Sequence, residues 1–153
     1  MLGGYISDLD TGDVFESVSY VVTPMMTAEY AHGVEDMFEG FHSASAPDHR
    51  QIRPPTMVHI DKLRILEANC PKEARLAGMK GPDARIHYEY HARHRGVAYV
   101  GDELTVSGHI VERFVKRDRT YLRYELVVRN AAGDVITEYS DQTLLRYAPG
   151  DLG

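Results

Sequence analysis

Over residues 84–147 apolar and polar positions alternate with a period of two. Ile86, Tyr88, Tyr90 and Ala92 alternate with Arg85, His87, Glu89, His91 and Arg93. Leu104, Val106 and Ile110 alternate with Thr105, Ser107 and His109, and Leu122, Tyr124, Leu126 and Val128 with Tyr121, Arg123, Glu125 and Arg129. Successive side chains of a strand point to opposite faces, so each stretch predicts a strand with one apolar and one wet face. Turns are expected at Val100–Gly101–Asp102, at Lys116–Arg117–Asp118 and from Asn130 to Gly133. The segment Val135–Tyr147 alternates less regularly, which suggests a bulge.

The first half of the chain follows a different period. Val14–Val22 is rich in β-branched residues, with Val18, Tyr20 and Val22 alternating, and Pro24 ends it. Thr27 is a candidate N-cap for a helix carrying Tyr30, Val34, Met37, Phe38 and Phe41 at helical spacing, with Gly40 as its stop. The polar stretch HSASAPDHRQIR reads as a loop. Pro54 and Pro55 open a second helix that runs to Asn69 before Cys70–Pro71. Its Met57, Val58, Ile60, Leu63, Ile65, Leu66 and Ala68 spread apolar surface almost all the way round, as in a buried helix. A helix of about 15 residues spans roughly 22 Å, enough for the central element of a small domain. After a loop from Gly78 to Pro82 the strands begin. The expectation is one α+β domain over 1–153: a long buried helix wrapped by a curved antiparallel sheet of about five strands. Such an open sheet has edges, and pairing them across a two-fold axis predicts a dimer through the strand Arg85–His94.

Composition narrows the function classes. The 153 residues make one domain's worth of chain, and 17 basic against 23 acidic residues leave a formal charge of -6. That balance opposes nonspecific nucleic-acid binding. The start of the chain, MLGGYISDLD, lacks a basic stretch followed by an apolar run, and no window holds 18 apolar residues. Neither a signal peptide nor a membrane span is expected. The lone Cys70 cannot form an internal disulfide, which suits a cytoplasmic setting. His87 and His91 share a face if the alternation is regular, about 13 Å apart, too far for a shared metal; His91 and His94 face apart. No metal and no cofactor are expected. Cys70 reads as a buried structural thiol and His59 as a hydrogen-bonded core residue.

The stretch GVAYVGDELTVSGHIVERFVKRDRTYLRYELVVRNAAGDVITEYSDQTLLR resembles the second half of MaoC-like hot-dog hydratases and dehydratases. It has a basic residue, Arg95, then Val97, Val100 and the Gly101–Asp102–x–Leu104 run, followed by strand, charged hairpin, strand and an Asn-x-x-Gly turn. The likeness extends over most of residues 13–147. It implies a hot-dog fold, an enoyl- or 3-hydroxyacyl-thioester substrate on CoA or an acyl carrier, and a homodimer or a heterodimer with a second hot-dog chain. The family's signature is Asp, any residue, Asn-Pro, any residue, His. Asp36 stands at the place of its Asp; His42 comes six positions later rather than five, and Phe38–Glu39 replaces Asn-Pro. Arg53–Pro54–Pro55–Thr56–Met57 stands where the family's central helix opens, without its usual His-Gly pair.

Adding water to an α,β-unsaturated thioester needs a base for the water proton and an acid for the α carbon, and an Asp–His pair can serve as both. Charge builds on the thioester oxygen, where fixed N–H donors stabilise it. Pro54 and Pro55 have no N–H, so Thr56 and Met57 offer the first donors of the helix. Asp36 and His42 are therefore the expected catalytic pair. Thr56, Met57, Leu63 and Leu66 are the expected substrate contacts along the helix, with Arg93 and Arg95 as anchors for a phosphorylated carrier. Met57, Leu63 and Leu66 read equally as core. Two alternatives remain: a non-catalytic acyl-thioester-binding subunit of a heteromeric dehydratase, and a hot-dog thioesterase using Asp61 or Glu67.

Overall fold

The computed structural model describes residues 2–43, 50–71 and 85–145. The expected loop centre at 44–49, the Gly78–Pro82 turn, His49 and Tyr147 lie outside them. Among the described residues two α-helices and five strands are arranged as β1 Val18–Val21, α1 Pro24–Gly33, α2 Val58–Asn69, β2 Arg85–His94, β3 Glu103–Lys116, β4 Arg119–Asn130 and β5 Val135–Leu145. The strands form one antiparallel sheet in the order β1-β3-β4-β5-β2. In the described residues β1 and β2 are its edges.

The alternating runs of β3 and β4 behave as their pattern predicts. Leu104, Val106, Ile110, Leu122, Tyr124, Leu126 and Val128 are all buried on one face. Helix α2 packs against that face, and Val58, Ile65 and Leu66 complete the core with Phe15 and Val22. Gly108 is a glycine for a steric reason. A Cβ there would lie 2.2 Å from the Glu125 carbonyl oxygen of the neighbouring strand. The suspected bulge in β5 exists: Val128 pairs with Thr137 and Arg129 with Val135, so Ile136 is the extra residue.

Three sequence expectations need correction. Helix α1 starts at Pro24 and is capped by Thr23, whose hydroxyl accepts from Met26 N–H. Thr27 lies inside the helix and is buried. The helix ends at Gly33, not Gly40, because Glu35 turns the chain through φ 57. Val34, Met37 and Phe38 consequently stand exposed rather than on a buried stripe. Second, α2 is not buried all round. A turn of 3-10 helix, Pro55–Met57, precedes it, and Asp61, Ile65 and Asn69 face inward while Leu63 is 47% exposed. Third, β2 carries a bulge at Tyr88: His87 pairs with Thr143 and Glu89 with Gln142. The extra residue reverses the parity of the strand. His87 and Tyr90 thus share the helix side of the sheet, and His87 and His91 point to opposite faces. His91 and His94 do face apart, as the pattern predicts, because they pair with Ser140 and Thr137 of β5.

Candidate active site

The chain after α1 folds back on itself. The Asp36 carboxylate accepts from Phe38 N–H at 3.0 Å, a local turn that competes with helix continuation. His42 follows a turn of 3-10 helix, Glu39–Phe41, and its Nε2 lies 2.9 Å from the Asp36 main-chain oxygen. The structure therefore brings His42 to Asp36, but to its carbonyl group and not to its carboxylate.

This loop is tied to the lead-in of α2. Ile52 N–H donates to Gly40 O at 2.8 Å, and the Gln51 side chain donates to Phe41 O at 2.8 Å. Residues 51–53 are in turn laced to the Gly-Asp turn: Val100 N–H donates to Gln51 O and Arg53 N–H to Ala98 O, both at 2.9 Å. Gly101 adopts φ 93, a conformation that a side chain resists, and lets Asp102 receive Tyr99 N–H and the Arg50 guanidinium. Loop 36–42, the opening of α2 and the Gly-Asp turn thus form one hydrogen-bonded unit.

At the opening of α2, Met57 N–H donates to Pro54 O at 3.0 Å. That engagement leaves Thr56 N–H as the turn's open donor among the described residues. Met57 and Leu66 are buried in the core, while Leu63 lies on the outer side of the helix. Arg93 shares the face of the sheet remote from α2 with His91 and Glu138, along a groove of about 530 Å³. Arg95 is held there by Glu138 at 3.1 Å.

Beneath α2 two buried carboxylates organise their surroundings. Asp61, wholly buried, pairs with Arg53 and receives the Tyr20 hydroxyl. Burial and the adjacent Asp61 carboxylate push the Tyr20 phenol far above its usual range. This trio connects β1, the segment that leads into α2, and α2 itself. Glu67, the other thioesterase candidate, is exposed.

The second carboxylate, Asp141 of β5, went unrecognised in the sequence. It is wholly buried and receives Tyr139 OH at 2.6 Å and Thr143 Oγ1 at 2.8 Å, with His87 Nε2 at 2.9 Å and Lys62 Nζ at 3.4 Å as charge partners. His59 lies beside this group, its ring 4.7 Å from Tyr90 and 5.6 Å from Tyr139. Partial burial, the Lys62 charge and His87 all hold the His59 imidazole below its ordinary value. His59 is thus half-buried among rings rather than a hydrogen-bonded core residue. A signal for Asp141 existed: a charged residue at an inward position between Tyr139 and Thr143. The irregular alternation of that strand obscured it. Cys70 is a buried thiol, as its place at the helix end suggests.

No family model and no curated protein matches the sequence. Solved structures do match the fold. A monoamine oxidase regulatory protein from Archaeoglobus fulgius is similar with a TM-score of 0.72 at 17% identity, over 95% of this chain and 95% of that one. A MaoC-like dehydratase from Rhodospirillum rubrum is similar with a TM-score of 0.69 at 16% identity, over 95% of this chain and 98% of that one. The R-hydratase PhaJ1 from Pseudomonas aeruginosa is similar with a TM-score of 0.66 at 16% identity, over 93% of this chain and 85% of that one. The chain has the hot-dog fold of MaoC-like dehydratases and R-hydratases, as the sequence resemblance implies.

Proposed function

We propose that the protein hydrates an enoyl thioester, and dehydrates the corresponding 3-hydroxyacyl thioester, with Asp36 and His42 as its acid–base pair. The observation that carries this reading is the closure of His42 onto Asp36 in a loop bound to the opening of α2. It accords with the fold shared with hydratases and dehydratases. In the reaction His42 takes a proton from water, the water oxygen bonds to the β carbon, and the proton returns to the α carbon. The Asp36 carboxylate holds the water, and its main-chain oxygen aligns the ring. Thr56 N–H supports the thioester oxygen as negative charge builds there. Leu63 borders the acyl group and the buried Met57 and Leu66 shape the space behind it, while Arg93 and Arg95, on the far face of the sheet, attract the phosphates of a CoA or acyl-carrier arm that passes round the strand β2.

A second reading has its own observation. The Asp36 carboxylate is spent on Phe38 N–H, and Phe38–Glu39 stands where the family has Asn-Pro. A chain of this kind serves as an acyl-thioester-binding subunit beside a hot-dog partner that carries the intact motif. A thioesterase reading is weaker, because the Asp61 carboxylate is occupied by Arg53 and Tyr20.

Incubation of the pure protein with crotonyl-CoA separates these readings by product. 3-Hydroxybutyryl-CoA supports hydration, free crotonate supports hydrolysis, and unchanged but bound crotonyl-CoA supports the binding subunit.

A further inference from the structure

We propose that His87, held by Asp141, is a further catalytic acid–base group, placed on the helix side of the sheet between α2 and the edge strand β2. The proposal takes its substrate class, an enoyl or 3-hydroxyacyl thioester, from the function proposed above, and it assigns to His87 the proton transfer given there to His42, so the two are alternatives for one step and the variants of each separate them.

A buried carboxylate is costly unless its lone pairs are filled. Asp141 is 0% exposed and meets that requirement with three donors, Tyr139, Thr143 and Lys62, and His87 stands against it as a fourth partner at 2.9 Å. Three of these are themselves inside or nearly so. His87 differs, because its side chain is 37% exposed and reaches the open side of the strand. A structural tie would be satisfied by Tyr139, Thr143 and Lys62 alone. The fourth partner is a titratable ring that extends from a buried anchor to solvent.

The close contact also bears on the chemistry of the ring. A carboxylate only accepts, so the His87 nitrogen that stands 2.9 Å from it, Nε2, is the one suited to carry the hydrogen of the neutral ring. The lone pair of neutral His87 is then on Nδ1, which makes no hydrogen bond among the described residues. This is the arrangement of an oriented general base: one nitrogen fixed by a carboxylate, the other free for a proton. The bulge at Tyr88 creates it. Without the extra residue, regular alternation would place His87 and Tyr90 on opposite faces.

The surroundings suit an acyl thioester. Tyr90 stacks on Tyr139 with centroids 5.8 Å apart and lies 5.3 Å from His87, forming one wall. His59 lies 6.1 Å from His87 and edge-on to Tyr90 at 4.7 Å, where partial burial, the Lys62 charge and His87 hold its basicity below the ordinary value. Its ring N–H can donate to a thioester oxygen. Leu63 follows His59 by one helical turn and offers exposed apolar surface for the acyl chain.

The step balances without a cofactor. Nδ1 of His87 takes a proton from water, and the water oxygen bonds to the β carbon as the double-bond electron pair moves to the α carbon. The α carbon then takes the proton from the imidazolium. One water is added and the imidazole is regenerated; the reverse sequence expels water. Asp141 acts as a positioning residue.

The test uses the full-length protein with crotonyl-CoA. His87→Ala removes a half-exposed side chain, so the fold should persist, and circular dichroism checks this. The expected result is a loss of about a hundredfold or more in kcat with KM little changed. Imidazole added to His87→Ala should restore part of the rate, which a merely structural side chain would not permit. Asp141→Asn should lower kcat similarly; if that variant fails to fold, the imidazole rescue decides alone. Active wild type whose kcat is unchanged in His87→Ala overturns the proposal and leaves the hydratase reading standing. Wild type that neither hydrates nor binds crotonyl-CoA overturns both.

Discussion

Asp36 and Asp61 illustrate two fates of a carboxylate. Asp36 is exposed on a loop and costs the fold little, so Asp36→Asn should leave the thermal midpoint nearly unchanged. If Asp36 and His42 form the working pair, both Asp36→Asn and His42→Ala lower hydration of crotonyl-CoA by about a hundredfold or more. Wild-type rates in both variants would remove the pair from the mechanism. Asp61 is the opposite case, buried against Arg53 with side-chain exposures of 0% and 1%. Asp61→Ala leaves a buried guanidinium without its charge partner, and about 3–5 kcal/mol of stability should disappear. Urea denaturation measures this directly; a loss below about 1 kcal/mol would mean that water reaches Arg53 in the variant. His59 provides a pH signature. Its folded-state value is lowered from 6.5, so the unfolded chain binds a proton first as the pH falls. The associated stability is present above that pH and is lost as the pH drops below it. Denaturation midpoints between about pH 7.5 and 5.5 should therefore fall less for His59→Gln than for wild type.

Elements end where local chemistry overrides periodicity. Tyr30, Val34, Met37, Phe38 and Phe41 keep helical spacing through Gly40, yet α1 stops at Gly33. Asp36 offers its own carboxylate to Phe38 N–H and replaces a helical bond with a turn. Helix α2 ends as its sequence suggests, with Asn69 tied to Glu16 through both its amide groups and Cys70–Pro71 following. The β3–β4 hairpin closes over Arg117 and Asp118, both with positive φ, between the paired residues Lys116 and Arg119. Two such residues between paired strand ends make a turn that favours Asn-Gly. Asp118→Gly relieves the backbone there and should stabilise the protein by about 1 kcal/mol. An unchanged or lower midpoint in thermal denaturation would show that the Asp118 side chain contributes more than its backbone costs.

At the scale of the molecule, β2 is the feature that asks for a partner. Among the described residues it is an edge strand whose Tyr88 and Tyr90 are exposed on opposite sides, and Leu63 of α2 is exposed as well. An unpaired edge with large aromatic side chains is a template for strand pairing. We expect two copies to join antiparallel through β2. Light scattering at micromolar concentration should give twice the 17.2 kDa chain mass, and Tyr90→Arg should shift it towards the monomer. A stable wild-type monomer would exclude the pairing. Among the described residues no helix is long and apolar enough to cross a membrane.

The sequence by itself determined the elements whose information is local. Period-two runs made β3 and β4, Pro54–Pro55 opened the 3-10 turn that leads into α2, and Cys70–Pro71 ended the helix. Gly101, Gly133 and Arg117–Asp118 marked the turns, because backbone conformation there depends on one or two residues. Only the tertiary structure decided which faces of α2 are covered, since exposure depends on how many neighbours reach a helix and not on its own pattern. It also decided the face of His87. A one-residue bulge leaves little trace in composition, yet it reverses every side chain beyond it. Asp141 and His87 stand 54 positions apart in sequence, and their meeting depends on that register. Asp36 and His42 are close in sequence, so their proximity was legible, but the direction of the Asp36 carboxylate was not. It follows from the competition between a side-chain acceptor and a carbonyl for the same N–H group, which only the folded loop resolves.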